Sequence, residues 1–312
     1  MRAAKLTPTG FAIIDAADPT PAPHQILIKN HACGICSGDV FVYRNRATMA
    51  ATHPHLGHEA SGEIIALGSQ VTGWHIGDRV TALASPAYQD YFTADPADLV
   101  RLPDTIPYQF AVGEALACCI HAADRFTFKP GARVALIGAG FMGLIPMQIA
   151  RNRGAREIIA FDPLPDRRQL AAKLGADQTA DPTAHTASDL LKTFGTFDLV
   201  IEAAGNQAAI DLATTLAAQH GMINLIGYHQ SNQGLRTVNM EQWNFKALDI
   251  INGHVRREDE KRTAMSKAID LLATGQITTE PLITPIPFSE IQPTFAKLDQ
   301  TQPGLSKAAL MF

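Results

Sequence analysis

The stretch "ARVALIGAGFMG", residues 132–143, does most to limit what this chain can become. An apolar β-type run passes directly into Gly138, Gly140 and Gly143, spaced GxGxxG, and a helix-type pattern continues to about residue 153. In that context the first glycine makes a tight turn and the second lets backbone approach a pyrophosphate. The third lets helix pack on strand. Phosphate oxygens then meet the free N–H groups and the positive end of the helix. Pro146 is awkward inside a helix, so the reading starts that helix near Gly143, where the missing N–H would be unpaired anyway. The alternation continues through "REIIAFD", a helix in "DRRQLAAKLGA", "FDLVIEAAG", a helix near 206–218 and "GMINLIGY". This pattern predicts an α/β domain with a doubly wound parallel sheet. Asp162 ends the second strand, 24 residues after Gly138. A carboxylate there accepts from both ribose hydroxyls and repels a 2′-phosphate, favouring NAD over NADP. Arg167 and Arg168 could instead meet a 2′-phosphate, and Asp162 could simply cap the helix after Pro163.

The chain before residue 115 has another character. Short runs such as "QILIKN", "SGEIIALG" and "DRVTAL" are broken by Gly, Pro and His, which suits a β-rich domain. Residues 258–274 read as a helix with Met265, Ala268, Ile269 and Leu272 on one face and Gly275 as its stop. The segments "TEPLITPIPFSEI" and "GLSKAALMF" return to β-like runs and can close the first domain, making it discontinuous. A chain of 312 residues accommodates two such domains. A net charge of −4 with 18% charged residues gives no reason to expect nucleic acid or an anionic membrane as partner. No apolar run reaches the roughly 18 residues of a membrane span, and the first residues lack an apolar leader core, so a soluble, cytoplasmic protein is expected.

Four cysteines make no disulfide framework. Two of them form the CxxC of "CGICSGDV", residues 33–40. A zinc ribbon would need a second CxxC, and a thioredoxin-type pair would open a helix in a small redox fold. The chain instead runs on to "HLGHEASGEIIALG", with His58 and Glu59 placed 22 and 23 residues after Cys36. Then comes "VGEALACCIHAADRF", offering Glu114, Cys118, Cys119 and His121. A thiolate, an imidazole and a carboxylate are a reasonable three-ligand catalytic zinc set with an open fourth position.

Taken in order, "CGICSGDV", "GHEASGEIIALG", "GDRV" and "GAGFMG" resemble the zinc-dependent medium-chain dehydrogenase family, which includes alcohol, sorbitol and threonine dehydrogenases. The likeness runs nearly the whole chain and ends in "LSKAALMF", similar to the family's closing strand. It implies a GroES-like β-rich catalytic domain, residues 1–117 and 254–312, with an inserted Rossmann domain, residues 118–253. It implies one catalytic Zn²⁺ per chain, held by Cys36, His58 and Glu114. Here "GEALACCIHA" is similar to the polyol dehydrogenase pattern "EPLAVxxHA". Glu59 matches a neighbouring carboxylate that touches the metal in some members, so either Glu59 or Glu114 could ligate it at rest. Cys33 is then a buried small residue. Asp39 matches an acid that orients the ligand histidine, and Ala204 and Gly227, with Phe141, Met142 and Arg167, complete the cofactor-binding positions.

Three departures stand out. "GDRVTALASPAYQDYFTADP" runs straight into the next strand, so the four-cysteine lobe that holds a second, structural zinc is missing. Gly38 stands where many members carry Ser or Thr, with Ser37 one place early, and Phe41 replaces the histidine that ends their proton relay. The proton must leave by water, Ser37, Glu59, or a group such as Tyr43 or His55. The implied activity is hydride transfer between a secondary alcohol or polyol and NAD, giving a ketone, with a homodimer or homotetramer as assembly. Two alternatives remain. One is a zinc-free NAD(P)H-dependent quinone or enone reductase of the same superfamily, which the retained Cys36, His58 and Glu114 oppose. The other is a non-catalytic NAD(H)-binding protein, which the lost relay residues favour.

Overall fold

A computed structural model describes residues 1–300 and 305–312. The chain divides into two compact units. The first comprises Met1–Ala117, Lys261–Gly275 and Thr279–Phe312, and the second Cys118–Glu260 with Gln276–Thr278. The return to the first unit thus falls after Glu260, whereas the sequence reading set it at 254. Residues 254–260 stay with the second unit because His254 Nε2 lies 3.3 Å from Gly227 O and Glu260 Oε2 lies 3.9 Å from His121 Nδ1.

The second unit is built on a six-stranded, wholly parallel sheet. Its strands lie in the order Gln178–Ala180, Glu157–Phe161, Arg133–Ile137, Phe197–Glu202, Ala217–Leu225, Asp249–Asn252. In chain order this is 3-2-1-4-5-6, and the direction of winding reverses between Arg133–Ile137 and Phe197–Glu202. Val134, Ala135, Leu136 and Ile137 are all buried, as a strand covered by helices on both faces requires. At the end of that strand Gly138 takes φ +93°, which L side chains rarely adopt. A Cβ there would also stand 2.7 Å from Ala204 N and 2.9 Å from Ala203 C. The helix after the loop runs Phe141–Asn152, two residues earlier than expected, so Pro146 sits in its interior. The N–H that another residue would give to Met142 O is therefore missing. Full burial of Leu144, Ile145 and Met147 around the ring offsets that loss.

The first unit carries a seven-stranded sheet. Ile283–Pro287, Lys307–Met311, Ile26–Gly34, Glu59–Leu67, Arg79–Ala82 and Leu99–Arg101 succeed one another, and Tyr91–Ala94 also pairs with Ile26–Gly34. A hairpin of Arg2–Thr7 and Gly10–Asp15 accompanies it. Two helices interrupt regions expected to be β-like: Ser37–Arg44 and Ile291–Asp299. The latter buries Ile291, Thr294 and Phe295, a helical spacing that Pro287 before the helix and Pro293 in its first turn obscure in the sequence. Phe295 packs with its ring centroid 4.7 Å from Phe11, 5.3 Å from Tyr43 and 5.9 Å from Tyr88, so the tail supplies part of this unit's aromatic core. Among the described residues no helix is long and apolar enough to cross a membrane.

Replacing Gly138 with Ala should lower the free energy of unfolding by ~1–3 kcal/mol through backbone strain alone. Urea denaturation followed by far-UV dichroism would measure the loss.

Candidate active site

Strand register gathers the first group of residues. Gly34 pairs with Glu59 on one side and with Ala309 on the other. Cys36, two residues past Gly34, His58, one before Glu59, and Lys307, two before Ala309, therefore meet at the same ends of three adjacent strands. Cys36 is also the N-cap of helix Ser37–Arg44, and its Sγ accepts from Gly38 N at 3.4 Å. Ligand atoms of Cys36, His58 and Glu59 all lie within 4.8 Å of one another. Glu114, the second residue of helix Gly113–Arg125, brings Oε2 to 4.0 Å from His58 Nε2. The start of that helix is fixed by Thr81, whose Oγ1 accepts from Gly113 N at 3.1 Å.

Each member of the group has a second partner. Asp39 Oδ1 faces His58 Nδ1 at 3.6 Å, and its other oxygen accepts from the buried Tyr88 hydroxyl at 2.6 Å. Lys307 Nζ lies 2.7 Å from Glu59 Oε2, donates to Oε1 at 2.9 Å and reaches Ile35 O at 3.2 Å. Lys261 Nζ stands 3.5 Å from Glu114 Oε1, leaving Oε2 toward His58. Ser37 is exposed on the first helical turn beside Cys36, while Cys33 is fully buried. Lys307, Lys261 and Tyr88 had no signal in the sequence, because their relation to the site is set by strand pairing and helix docking.

The electrostatics are those of an anionic pocket. Burial alone would lower the His58 imidazole, but its hydrogen bond to Cys36 and the charges of Asp39, Cys36 and Glu59 push it up to about 10. Burial raises the Asp39 carboxyl above its usual range, against the pull of His58 and the Tyr88 hydroxyl. Burial would discharge the Lys307 ammonium, yet Glu59 and Cys36 hold it above its ordinary value. Glu59 Oε2 is buried and receives no aligned hydrogen bond. Sulfur, imidazole nitrogen and carboxylate oxygen in this mixture suit Zn²⁺. Three such donor atoms within 4.8 Å of one another, with Glu59 Oε2 buried and lacking an aligned donor, fit the metal.

The second group surrounds the glycine loop. Gly140 is the N-cap of helix Phe141–Asn152, where an added Cβ would find only Arg167 Nη1, at 3.9 Å. This leaves the loop open to a phosphate. A Cβ on Gly143 would collide with Gly138 O, which explains the third glycine. Phe141 is buried, Met142 is half-buried with Sδ 3.6 Å from Cys119 Sγ, and Ala204 is exposed. Asp162, 2% exposed, accepts from Ala139 N at 2.8 Å and Leu164 N at 2.9 Å. It ties the glycine loop to the turn after its own strand, whereas helix Pro165–Lys173 has Leu164 as its N-cap and no side-chain cap, so Asp162 does not cap that helix. Arg167 Nη1 is 4.0 Å from its carboxylate, while Arg168 Nη1 bonds Asp162 O and Pro163 O. Gly227 is buried at the end of strand Ala217–Leu225.

A parallel sheet with this glycine loop, in one chain with a β-rich unit bearing a Cys–His–carboxylate cluster, defines a class of oxidoreductase. The chain belongs to the zinc-binding dehydrogenase family. The family model of that name matches residues 142–274, and that of the alcohol dehydrogenase GroES-like domain matches residues 22–104. The chain is 30% identical to an uncharacterized zinc-type alcohol dehydrogenase-like protein of Escherichia coli (strain K12), over 68% of this chain and 72% of that one. It is 29% identical to a sorbitol dehydrogenase of Bacillus subtilis (strain 168), over 91% of this chain and 86% of the relative. A presumed zinc-binding dehydrogenase from Sinorhizobium meliloti 1021, solved bound to NADP, superposes with a TM-score of 0.87 at 25% identity, covering 100% of this chain and 99% of that one.

Replacing Lys307 with Met strands the buried Glu59 carboxylate and should destabilise the first unit by ~3–5 kcal/mol. The double variant Lys307→Met/Glu59→Gln should recover much of the loss. Equilibrium unfolding of the four proteins in the cycle gives the coupling directly.

Proposed function

We propose that this protein catalyses the reversible oxidation of a secondary alcohol or polyol to a ketone, with NAD⁺ as hydride acceptor and one catalytic zinc per chain. The observation that carries the reading is the convergence of Cys36, His58 and Glu59 within 4.8 Å, with Glu114 facing His58 Nε2 at 4.0 Å. The relatives named as sorbitol dehydrogenases support the polyol class.

In this reading Cys36, His58 and Glu114 hold the metal, and Glu59, within 4.8 Å of Cys36 and His58, is the neighbouring carboxylate. Zinc, when bound, supplies a Lewis acid for the substrate oxygen. Asp39, held by Tyr88, orients His58 through Nδ1 and leaves Nε2 toward the site, the support metal-binding imidazoles generally have. Lys261 on Glu114 Oε1 and Lys307 on Glu59 keep the two carboxylates apart. In the second unit the N–H groups at the start of helix Phe141–Asn152 would hold the pyrophosphate, and Asp162 is the carboxylate that would meet the ribose. NAD⁺, when bound, would supply the acceptor for the hydride of the carbinol carbon, and the hydroxyl proton would leave to solvent. Ser37 is the group best exposed to pass that proton, since the Tyr43 hydroxyl accepts from Gln292 and is buried, and His55 Nδ1 lies 3.3 Å from Ala4 O. A cytoplasmic homodimer or homotetramer is part of the same proposal.

Metal analysis of the purified protein should find one zinc per chain, with NAD⁺ reduction on a panel of polyols and secondary alcohols. Glu114→Ala should lose zinc and at least about a hundredfold of activity, the upper range for disturbing a metal's supporting groups. Zinc absent from the wild type, with NADPH-driven reduction of enones or quinones, would overturn the reading. The ratio of kcat/KM for NAD⁺ and NADP⁺ tests Asp162 separately, and a value favouring NAD⁺ is expected.

A further inference from the structure

One charged cluster belongs to the second unit. Glu202, the last residue of strand Phe197–Glu202, is 0% exposed. Its Oε1 accepts from Ala204 N at 3.0 Å and Gly205 N at 2.7 Å, and its Oε2 lies 3.1 Å from His229 Nε2. Its backbone oxygen accepts from Ile226 N and Gly227 N, at 2.8 and 2.9 Å. Glu202 thus joins the turns that leave two neighbouring strands. His229 Nδ1 in turn accepts from Arg236 Nε at 3.0 Å. That donor leaves Nδ1 unprotonated, so the imidazole carries its proton on Nε2 and donates it to Glu202.

Arg236 has no donor to spare. Nη1 bonds Ser231 O and Leu235 O, both at 2.7 Å, and Nη2 bonds Gly205 O at 3.1 Å and Ser231 Oγ at 3.0 Å. All five of its N–H groups therefore hold the loop 228–236 in shape and fasten it to Gly205. The loop needs that support, because Asn232, Gln233 and Gly234 all take positive φ. The fit is also close. A Cβ on Gly227 would stand 2.7 Å from Glu202 Oε2, so no other residue fits beneath the imidazole–carboxylate pair.

Position gives the cluster a meaning. Ala203 and Ala204, next to Glu202, are the residues against which Gly138 of the phosphate-binding loop packs, and Ala203 N donates to Ile137 O at 2.8 Å. Strands Arg133–Ile137 and Phe197–Glu202 flank the point where the winding of the sheet reverses, the place where such sheets receive their ligand. A continuous chain of contacts runs from Gly138 through Ala204 and Glu202 to His229, Arg236 and the loop beyond.

We propose that His229 is a positioning residue of the dinucleotide site: bridging Glu202 and Arg236, it pins loop 228–236 to the strand ends where the nicotinamide half of NAD(H) binds. The proposal rests on the reading of this unit as an NAD(H) site, and the pinning can be tested without the cofactor. His229→Leu removes both hydrogen bonds at similar size and leaves Glu202 Oε2 and Arg236 Nε without this partner. His229→Gln can accept from Arg236 and donate to Glu202, and should rescue both.

Two measurements on the full-length, zinc-loaded protein decide it. Amide hydrogen exchange should quicken at residues 226–236 in His229→Leu and remain as in the wild type in His229→Gln. NADH titrated by fluorescence should bind about tenfold more weakly to His229→Leu, as expected for losing a hydrogen bond to a charged partner. It should bind His229→Gln as it binds the wild type, with zinc content equal in all three. Unchanged exchange and unchanged NADH affinity in His229→Leu would overturn the proposal, and so would equal weakening in both variants, which would mean that only the ring's shape matters. Faster exchange in the loop with no NADH binding even by the wild type would instead count against the cofactor reading and leave the pin standing. If His229→Leu does not fold, Arg236→Met breaks the same chain at its other end and carries the same expectations.

Discussion

The arrangement of the first unit depends on how it balances buried negative charge. Cys36, Asp39, Glu59 and Glu114 surround a single imidazole, and Asp39 and Glu59 are almost wholly buried. Carboxylates so placed lose their hydration and are costly unless a cation or a donor replaces it. The protein supplies Lys307 to Glu59, Lys261 to Glu114 and the Tyr88 hydroxyl to Asp39. His58 is then the group on which the remaining charge converges, and its strong hold on a proton is the outward sign of that convergence. A divalent cation held by these residues would satisfy Cys36 and a carboxylate together and allow the imidazole to be neutral.

The Lys307–Glu59 pair is not explained by stability alone. A buried ion pair can often be exchanged for apolar side chains at no net cost, while breaking it by removing one partner is expensive. What the pair provides here is position. Glu59 begins one strand and Lys307 another, each bordering Ile26–Gly34, so their contact fixes the last strand of the chain to the first sheet at the level of Cys36. The aromatic contacts of Phe295 secure the same tail farther along. The discontinuous first unit is therefore closed twice, once by charge at the site and once by apolar packing away from it.

The second unit solves a different problem with little net charge. Its loop is built from backbone: Gly138 backed against Ala203 and Ala204, Gly140 open, and Gly143 against Gly138 O. Two buried carboxylates, Asp162 and Glu202, serve this backbone by accepting N–H groups of the turns after their strands. Glu202 sits at a strand end beside the reversal of the sheet and Asp162 one strand farther out, and each has an arginine or an arginine–histidine pair within reach. Fixed acceptors of this kind hold the turns in one shape before a ligand arrives, so that binding does not have to order them.

The difference between the units explains what could be read from the sequence. A glycine demanded by φ +93° or by a backbone approach leaves a local mark, and so does the 3.6-residue repeat of Met265, Ala268 and Ile269. Fold class, the parallel sheet and the glycine loop were legible for that reason. Cys36, His58, Glu59 and Glu114 were legible as a set of metal-ligand types, and their grouping mainly as a pattern similar to a known family, because nothing local states that Gly34 pairs with Glu59. Lys307, 248 residues from Glu59, was silent, since a buried ammonium looks like any surface lysine until the strand register is known. His229 and Arg236 were silent for the same reason. Helix Phe141–Asn152 went against its own local signal, because burial of its apolar face outweighs the hydrogen bond that Pro146 removes. Local grammar thus reports what the backbone must do at one place, whereas charge pairing reports what strand pairing has done across the chain, and the chemistry of this protein is held by the second kind.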